Sequence, residues 1–182
     1  GYVDMHVWAT ALTRWELAHQ PTRLRAQLAS QEGYDFVEKI YENLAKDYLG
    51  FAWRHAPFIR LREKVKLDDI WTIWENREPV GHIFTHKEDL ILKIDIQALR
   101  LDISAVEATA AIASKLKMSY VQVTLSRPSD ISSFQRAGWQ IAHPNWGAFM
   151  IKPLLPEVTI ANARHLFGIG TDRFLGSWLD VT

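Results

Sequence analysis

The chain has 182 residues, of which 48% are hydrophobic, so it is long and apolar enough to form one folded domain and is not a disordered chain. Its 21 basic residues balance its 21 acidic residues, and a net charge of zero argues against broad binding to nucleic acid or to anionic membranes. It has no cysteine and no apolar run of membrane-helix length, which excludes disulfides, thiolate zinc sites and a thiol nucleophile, and we expect a cytoplasmic protein without a metal.

The first 21 residues form a segment of their own. Residues 2–7 have a strand-like pattern, a stretch with two tryptophans follows, and Pro21 ends the segment. The chain begins with Gly1 and has no signal-like leader. We expect residues 1–21 to be an N-terminal arm or the end of a preceding domain.

A strand, a helix and a hairpin come next. Residues 23–28 alternate as a half-buried strand does, and apolar residues recur at spacings of three and four over 34–49, which predicts an amphipathic helix that ends at Gly50. The β-branched and aromatic run 70–74 and the run 80–84 flank turn residues, so they predict a β-hairpin.

The middle of the chain predicts a parallel unit. Residues 90–101 alternate between apolar and polar side chains, residues 105–116 have helical spacing, and residues 120–125 form another strand pattern. A helix that crosses between consecutive strands implies a right-handed parallel βαβ unit.

The remaining residues predict short elements and divide the chain. A short helix ends at Gly138, and one or two strands, a helix and a last strand follow it. The order of elements indicates the α/β class. The predicted parts are an arm (1–21), a main domain (22–153) and a C-terminal helix–strand extension (154–182).

Two short motifs and this order of elements resemble the GNAT N-acetyltransferase family over residues 22–153. The stretch 74–82, with a turn followed by Pro79-Val80-Gly81, is similar to the second hairpin of the family. The stretch 134–139, which begins with Phe134, is similar to its late signature of tyrosine, three residues, glycine and an aromatic residue. The resemblance implies a GNAT-like mixed, mostly antiparallel twisted sheet with a central parallel βαβ unit and flanking helices.

The resemblance also implies partners and a cofactor. The chain is similar to the second half of a tandem protein of this family, so a preceding GNAT domain or a homodimer is the expected partner, with acetyl-CoA as the cofactor and a small amine as the substrate. The expected cofactor contacts lie at the end of the long strand and in the loop after it, namely Ile96, Ala98, Leu99, Arg100, Ile103, Ser104 and Ala105.

That loop departs from the family pattern. In the family, Arg/Gln-x-x-Gly-x-Gly/Ala holds the pyrophosphate on backbone N–H groups at a helix N-terminus. Here Ile103 stands where the first glycine belongs, Asp102 adds a negative charge, and Ser104 with Glu107 forms a predicted capping box. We therefore expect a degenerate acetyl-CoA site, although the strand edge 96–101 would still be able to pair with the pantetheine arm.

The catalytic residue is unassigned. Family members often use a tyrosine on the late helix as the general acid, and the matching residue here is Phe134, which has no proton to give. Tyr120 lies at a strand start, where we expect a packing role. His82 and His86 are four residues apart without a third ligand, and we expect ordinary surface or edge histidines. His55 lies in an aromatic loop and is expected to be a loop histidine.

Two hypotheses for the function remain open. In one, the chain is an acetyl-CoA-dependent N-acetyltransferase or the half of one that contacts the amine. In the other, it is a non-catalytic GNAT-fold module that supports a partner domain or a dimer. The eight tryptophans predict a well-filled core, with some of them on a partner surface.

Overall fold

The computed structural model describes residues 3–4, 8–49, 66–143, 150–151, 154–155 and 157–174. Helices and strands follow one another along these residues, with two single turns of 3₁₀ helix at 29–31 and 67–69. Their bounds are β1 (Val3–Asp4), β2 (Ala9–Arg14), α1 (Trp15–Ala18), β3 (Leu24–Leu28), α2 (Tyr34–Ala45), β4 (Ile70–Glu75), β5 (Glu78–Glu88), β6 (Ile91–Leu99), α3 (Ala105–Ala113), β7 (Tyr120–Leu125), α4 (Pro128–Arg136), β8 (Gln140–Ala142), β9 (Met150–Ile151) and α5 (Ile160–Phe167).

In the described part of the chain, one seven-stranded sheet has the spatial order β3-β4-β5-β6-β7-β2-β8, and β1 pairs with β9 in a small sheet of its own. Neighbouring strands are antiparallel except for β6 and β7, which run parallel, and α3 connects them. The predicted fold class is therefore confirmed: a mixed, mostly antiparallel sheet with a central parallel βαβ unit and flanking helices.

The two faces of the sheet carry separate apolar clusters. Small side chains of α3 lie flat against one face, where Ile73, Ile83 and Ile94 are buried. The apolar stripe of α2 covers the other face, where Val37 and Ile40 are buried. Period-two burial in the strands and period-3.6 burial in the helices thus give a three-layer arrangement.

Strand β2, near the N-terminus, is part of the main sheet. Residues Ala9–Arg14 of β2 pair with Tyr120–Leu125 of β7 on one side, and its residues Thr10–Leu12 pair with β8 on the other. The segment that the sequence indicated as an arm or the end of a preceding domain therefore contributes an interior strand here. The division of the whole chain into three parts stays a prediction.

Several bounds differ from the predicted ones. The hairpin turn consists of Asn76 and Arg77 alone, and Asn76 has φ 55°, a left-handed conformation that asparagine tolerates well. The helix predicted to run to Leu49 ends at Ala45. Of the last predicted strand, Phe174 makes a single bridge to Leu49, and 175–179 lie outside the described residues, as do His55 and 144–149.

A bulge sits near the end of β6. His82 pairs with Ala98 while Ile83 pairs with Ile96, so one residue of β6 has no counterpart on β5. Opposite the bulge, a Cβ atom on Gly81 would lie 2.6 Å from the carbonyl oxygen of Ala98, so this position requires glycine. Bulges bend a strand locally, and this one lies just after Asp95, the last residue of β6 that pairs with β7.

Candidate functional site

The candidate site is the place where the two parallel strands stop pairing. The ladder between β6 and β7 runs from Ile91 and Tyr120 to Asp95 and Thr124, whereas β6 continues to Leu99. We call the region between the last residues of β6 and the first residues after β7 the β6–β7 junction. The N-termini of α3 and α4 begin beside it, a few residues after each strand.

Side chains of the chain itself fill this junction. The hydroxyl of Tyr48, three residues after α2, donates a hydrogen bond to the carbonyl oxygen of Leu99. Arg127 Nη1 donates to the Tyr48 hydroxyl at 3.1 Å, and its Nε and Nη2 donate to the Asp130 carboxylate at 2.5 and 2.9 Å. All three side chains are buried, Arg127 to 2% exposure. We refer to Tyr48, Arg127 and Asp130 as the junction cluster.

Burial controls the protonation of the junction cluster. It raises the pKa of Tyr48 to about 12, with the charge of Arg127 opposing the shift and that of Asp130 adding to it. Burial also raises the pKa of Asp130, and Arg127 opposes that shift through its charge and its hydrogen bonds. The phenol is therefore held in its neutral form, as a donor to Leu99.

The loop before α3 carries an ionic network. The guanidinium of Arg100 lies 2.7 Å from Glu75, 3.0 Å from Glu78 and 2.6 Å from Asp102. Arg23 joins the network through Glu75 at 3.2 Å and through Glu107 at 3.6 Å. Four carboxylates thus surround two guanidinium groups, and the single cation of the 100–105 loop is engaged by three of them.

The start of α3 is capped by its own residues. The Ser104 hydroxyl accepts a hydrogen bond from the Glu107 amide at 3.4 Å, as predicted for the N-cap. The other half of the predicted capping box differs, because the Glu107 carboxylate lies toward Arg23. Ile103 is buried to 2% exposure, and its amide donates to the Arg100 carbonyl at 3.0 Å.

The start of α4 is also occupied by a carboxylate. The Ser129 amide, in the first turn of α4, donates to Asp172 Oδ1 at 2.8 Å. Asp172 comes from the residues after α5, 43 positions along the chain. An anion near the N-terminus of a helix is stabilised by the unpaired amides and by the helix dipole. Both helices that begin beside the junction therefore have carboxylates of this chain at or next to their first turns.

Phe134 is a buried core residue, and Tyr120 lies away from the junction. Phe134 is fully buried in the apolar cluster on the face of the sheet that α3 covers, and its ring packs edge-to-face on Trp139 with centroids 4.8 Å apart. Tyr120 opens β7 and is therefore at the opposite end of that strand from the junction.

The predicted cofactor contacts lie next to one another in the structure. Ile96, Ala98 and Leu99 are buried at the end of β6, and Ala105 is buried at the start of α3. Arg100, Ile103 and Ser104 form the loop between them. Their role in holding a cofactor stays a prediction.

The junction cluster was not found by sequence reasoning. The apolar spacing over 34–49 places Tyr48 on the apolar face of the predicted helix, where a tyrosine ordinarily packs. Arg127 and Asp130 form an i,i+3 pair that a scan of charge spacing would have found. Their contact with Tyr48 joins residues 79 positions apart and has no local signal.

The expectation for His82 is wrong. This side chain is buried to 1% exposure beneath α2 and is not at an edge. Burial lowers its pKa to about 4, with backbone groups of Val37 and Trp71 opposing the shift. Its Nδ1 lies 3.4 Å from the Thr72 hydroxyl, which donates to Glu32 at 3.0 Å. Its predicted companion His86 is exposed.

The described residues show neither a candidate metal site nor a candidate membrane span. They contain no group of three or more His, Asp or Glu side chains placed to hold a metal ion. None of the helices described has the length and apolar content needed to span a bilayer.

The sequence matches no protein-family model and no curated protein. Among solved structures, it is similar to a functionally unknown conserved protein from Staphylococcus epidermidis, with a TM-score of 0.55 and 16% identity over 74% of this chain and 57% of that one. Two GCN5-related N-acetyltransferases also match. That from Sphaerobacter thermophilus has a TM-score of 0.46 and 12% identity, over 79% of this chain and 50% of that one. That from Anabaena variabilis has a TM-score of 0.48 and 17% identity, over 84% of this chain and 39% of that one.

The match to the staphylococcal protein shows a shared fold and nothing about activity. This chain spans 57%, 50% and 39% of the lengths of the three matched chains. At TM-scores below 0.5, the likeness to the two acetyltransferases carries no functional inference.

Proposed function

We propose that this chain is a GNAT-fold domain of a larger N-acetyltransferase and that its own acetyl-CoA site is degenerate. The observation that carries the proposal is the hydrogen bond from Tyr48 to the Leu99 carbonyl, with Arg127 bound to the same hydroxyl. It lies on the strand edge that the family resemblance assigns to the pantetheine arm. The carbonyl that would pair with the arm already has a partner from this chain.

The α3 loop supports the same proposal. A pyrophosphate needs bare backbone amides and a favourable field. Here Ile103 is a buried β-branched residue whose amide is used within the loop, and Asp102 and Glu107 bring negative charge to the helix start. The residues present therefore fit a pyrophosphate poorly.

The late helix supports it as well. A general acid for the departing thiolate needs an ionisable proton near the sulfur. Phe134 has none and is buried against Trp139. The tyrosine beside the junction is Tyr48, and burial raises its pKa to about 12, which makes its proton harder to release. On this proposal, acetyl transfer takes place in another part of the larger protein.

The alternative is a non-catalytic interaction or dimerisation module. It is favoured by exposed leucines and a tyrosine at the end of the sheet opposite the junction: Leu17, Leu90 and Tyr120. The Tyr120 amide donates a hydrogen bond to the Leu90 carbonyl, and Tyr120 pairs with Arg14, which immediately precedes the helix α1 that carries Leu17. The three side chains therefore share one end of the sheet. The expectation that tryptophans form such a surface receives no support from Trp8, Trp71 and Trp139, which are buried.

The test is a calorimetric titration of the purified chain with acetyl-CoA, together with thermal denaturation in its presence. We expect neither binding heat nor stabilisation at millimolar cofactor, which corresponds to a binding free energy weaker than about −4 kcal/mol. The variant Ala105→Glu, which places a third carboxylate at the start of α3, is the matched control. Micromolar binding that Ala105→Glu abolishes would overturn the degenerate site.

The alternative is tested by the mass of the chain in solution. Sedimentation equilibrium of the wild-type chain and of Leu90→Asp distinguishes the proposed acetyltransferase domain from the dimerisation module. A dimer that Leu90→Asp dissociates would favour the dimerisation module over the proposed half of an acetyltransferase, whereas a monomer in both cases would exclude a homodimer through this end of the sheet.

A further inference from the structure

The residues that follow α5 cross the molecule beside the junction cluster. Gly168 ends α5 with φ 67°, and the chain then turns twice on itself before Phe174. We call residues 168–174 the clasp. The clasp contacts the start of α4 and the residues just after α2. The three members of the junction cluster lie in or next to these two segments.

The first tether lies after α2. The amide of Leu49 donates to the Arg173 carbonyl at 2.8 Å, and Leu49 and Phe174 form a parallel bridge. Arg173 Nε also donates to the carbonyl of Asp47 at 3.2 Å. Leu49 is the residue after Tyr48, so this tether holds the backbone that carries the Tyr48 hydroxyl.

The second tether lies at α4. Asp172 accepts the hydrogen bond from the Ser129 amide, and Ser129 lies between Arg127 and Asp130. The charge of Asp172 also acts on Arg127 and Asp130. Between the two tethers, the buried side chains of Ile169 and Phe174 pack with Trp8 in a small apolar cluster.

We infer that the clasp is an intramolecular closing device: it holds the residues after α2 against the start of α4 and thereby keeps the Tyr48 hydroxyl on the Leu99 carbonyl. Release of the clasp frees the segments of Tyr48 and Arg127 from each other and uncovers the backbone edge at the end of β6. In the described part of the chain, the clasp is held by the hydrogen bond between Leu49 and Arg173, by polar contacts of Asp172 and Arg173, and by the small apolar cluster around Phe174. It therefore opens at a lower free energy than the sheet does. The inference depends on these contacts and not on whether acetyl-CoA binds.

The experiment removes a contact of one tether by substitution and measures the amide hydrogen exchange rate at the other tether, by NMR on the full chain. In Phe174→Ala, which shortens a buried side chain of the first tether, we expect the Ser129 amide at the second tether to exchange about tenfold faster or more. In Asp172→Ala, which removes the second tether, we expect the same acceleration at the Leu49 amide. Amides of β4 and β5 keep their wild-type rates in both variants.

The matched control is Leu166→Ala, an apolar truncation in the same extension whose side chain is 72% exposed. It leaves the Leu49 and Ser129 amides at wild-type rates. Two results would overturn the inference. If each variant accelerates only the amide of its own tether, the contacts are independent and there is no clasp. If the amides of β4 and β5 accelerate by the same factor, these contacts stabilise the whole fold instead of closing the junction.

Discussion

The hydroxyl of Tyr48 is bound to the backbone carbonyl of Leu99, 51 residues further along the chain. Beyond Asp95, the described ladder from β6 to β7 has ended, so this carbonyl faces the junction and not a paired strand on that side. A strand edge inside a protein needs partners for its polar groups. Here the partner is a phenol, whose position in turn depends on Arg127.

The first prediction concerns stability at alkaline pH. The pKa of Tyr48 is raised to about 12 from its ordinary 10, so the folded state holds the phenolic proton more tightly than the unfolded state. The resulting stabilisation, about 2–3 kcal/mol, is present below about pH 10 and is lost as the pH rises toward 12. Urea denaturation at a series of pH values should show a steeper alkaline loss for the wild-type chain than for Tyr48→Phe. Parallel curves would contradict the burial of this hydroxyl.

The second prediction concerns the buried ion pair. Replacing Arg127 by leucine leaves the Asp130 carboxylate buried without its cation, which should reduce the free energy of unfolding by about 3–5 kcal/mol. The double replacement Arg127→Leu and Asp130→Leu should recover part of that loss. Arg136→Ala, on the exposed side of the same helix, should change stability by less than about 0.5 kcal/mol. Equal losses in the single and double variants would show that packing, and not the unpaired charge, dominates.

The third prediction concerns the loop before α3. Ile103 is 2% exposed, so Ile103→Ala should reduce the free energy of unfolding by about 2–4 kcal/mol, whereas Leu101→Ala, at 41% exposure, should cost little. Chemical denaturation measures both. Ile103→Gly, which restores the glycine of the family pattern, should not create acetyl-CoA binding, because Arg100 remains bound by three carboxylates. Cofactor binding by that variant would show that Ile103 alone accounts for the degenerate loop.

The fourth prediction concerns the stability of the fold at acidic pH. Burial lowers the pKa of His82 to about 4 from 6.5, so the unfolded state binds its proton more readily than the folded state. The stabilisation from the neutral ring is complete above about pH 6.5 and is lost as the pH falls toward 4, amounting to about 3 kcal/mol. Comparing denaturation of the wild-type chain with His82→Gln over this range measures it. The exposed His86→Gln serves as the control and should keep the wild-type dependence.

The elements with local signals could be predicted from the sequence. The amphipathic stripe of α2, the Asn76 turn and the Ser104 cap each depend on residues within a few positions of one another, and the structure has all three. The order of elements was sufficient for the α/β class and for the parallel pair, whereas the mixed, mostly antiparallel sheet was implied by the family resemblance.

The features that join distant residues could not be predicted in this way. The pairing of β2 with β7 and β8 connects residues more than 100 positions apart, and alternation alone does not say which strand takes which neighbour. His82 was misplaced for a related reason: its strand was predicted correctly, but the burial of its face depends on where α2 packs. The contacts of Tyr48 and Asp172 likewise could not be predicted until the positions of the strand ends were known.

The interior position of β2 has a consequence for how the molecule is made. Both neighbours of β2 belong to residues 120–142, more than 100 positions further along the chain, so its backbone groups remain without these partners until that part of the chain is synthesised. Pairings of such large sequence separation slow folding and leave strand edges exposed to other chains. We therefore expect this sheet to close last around β2, and the nascent chain to be most prone to aggregation before β7 emerges.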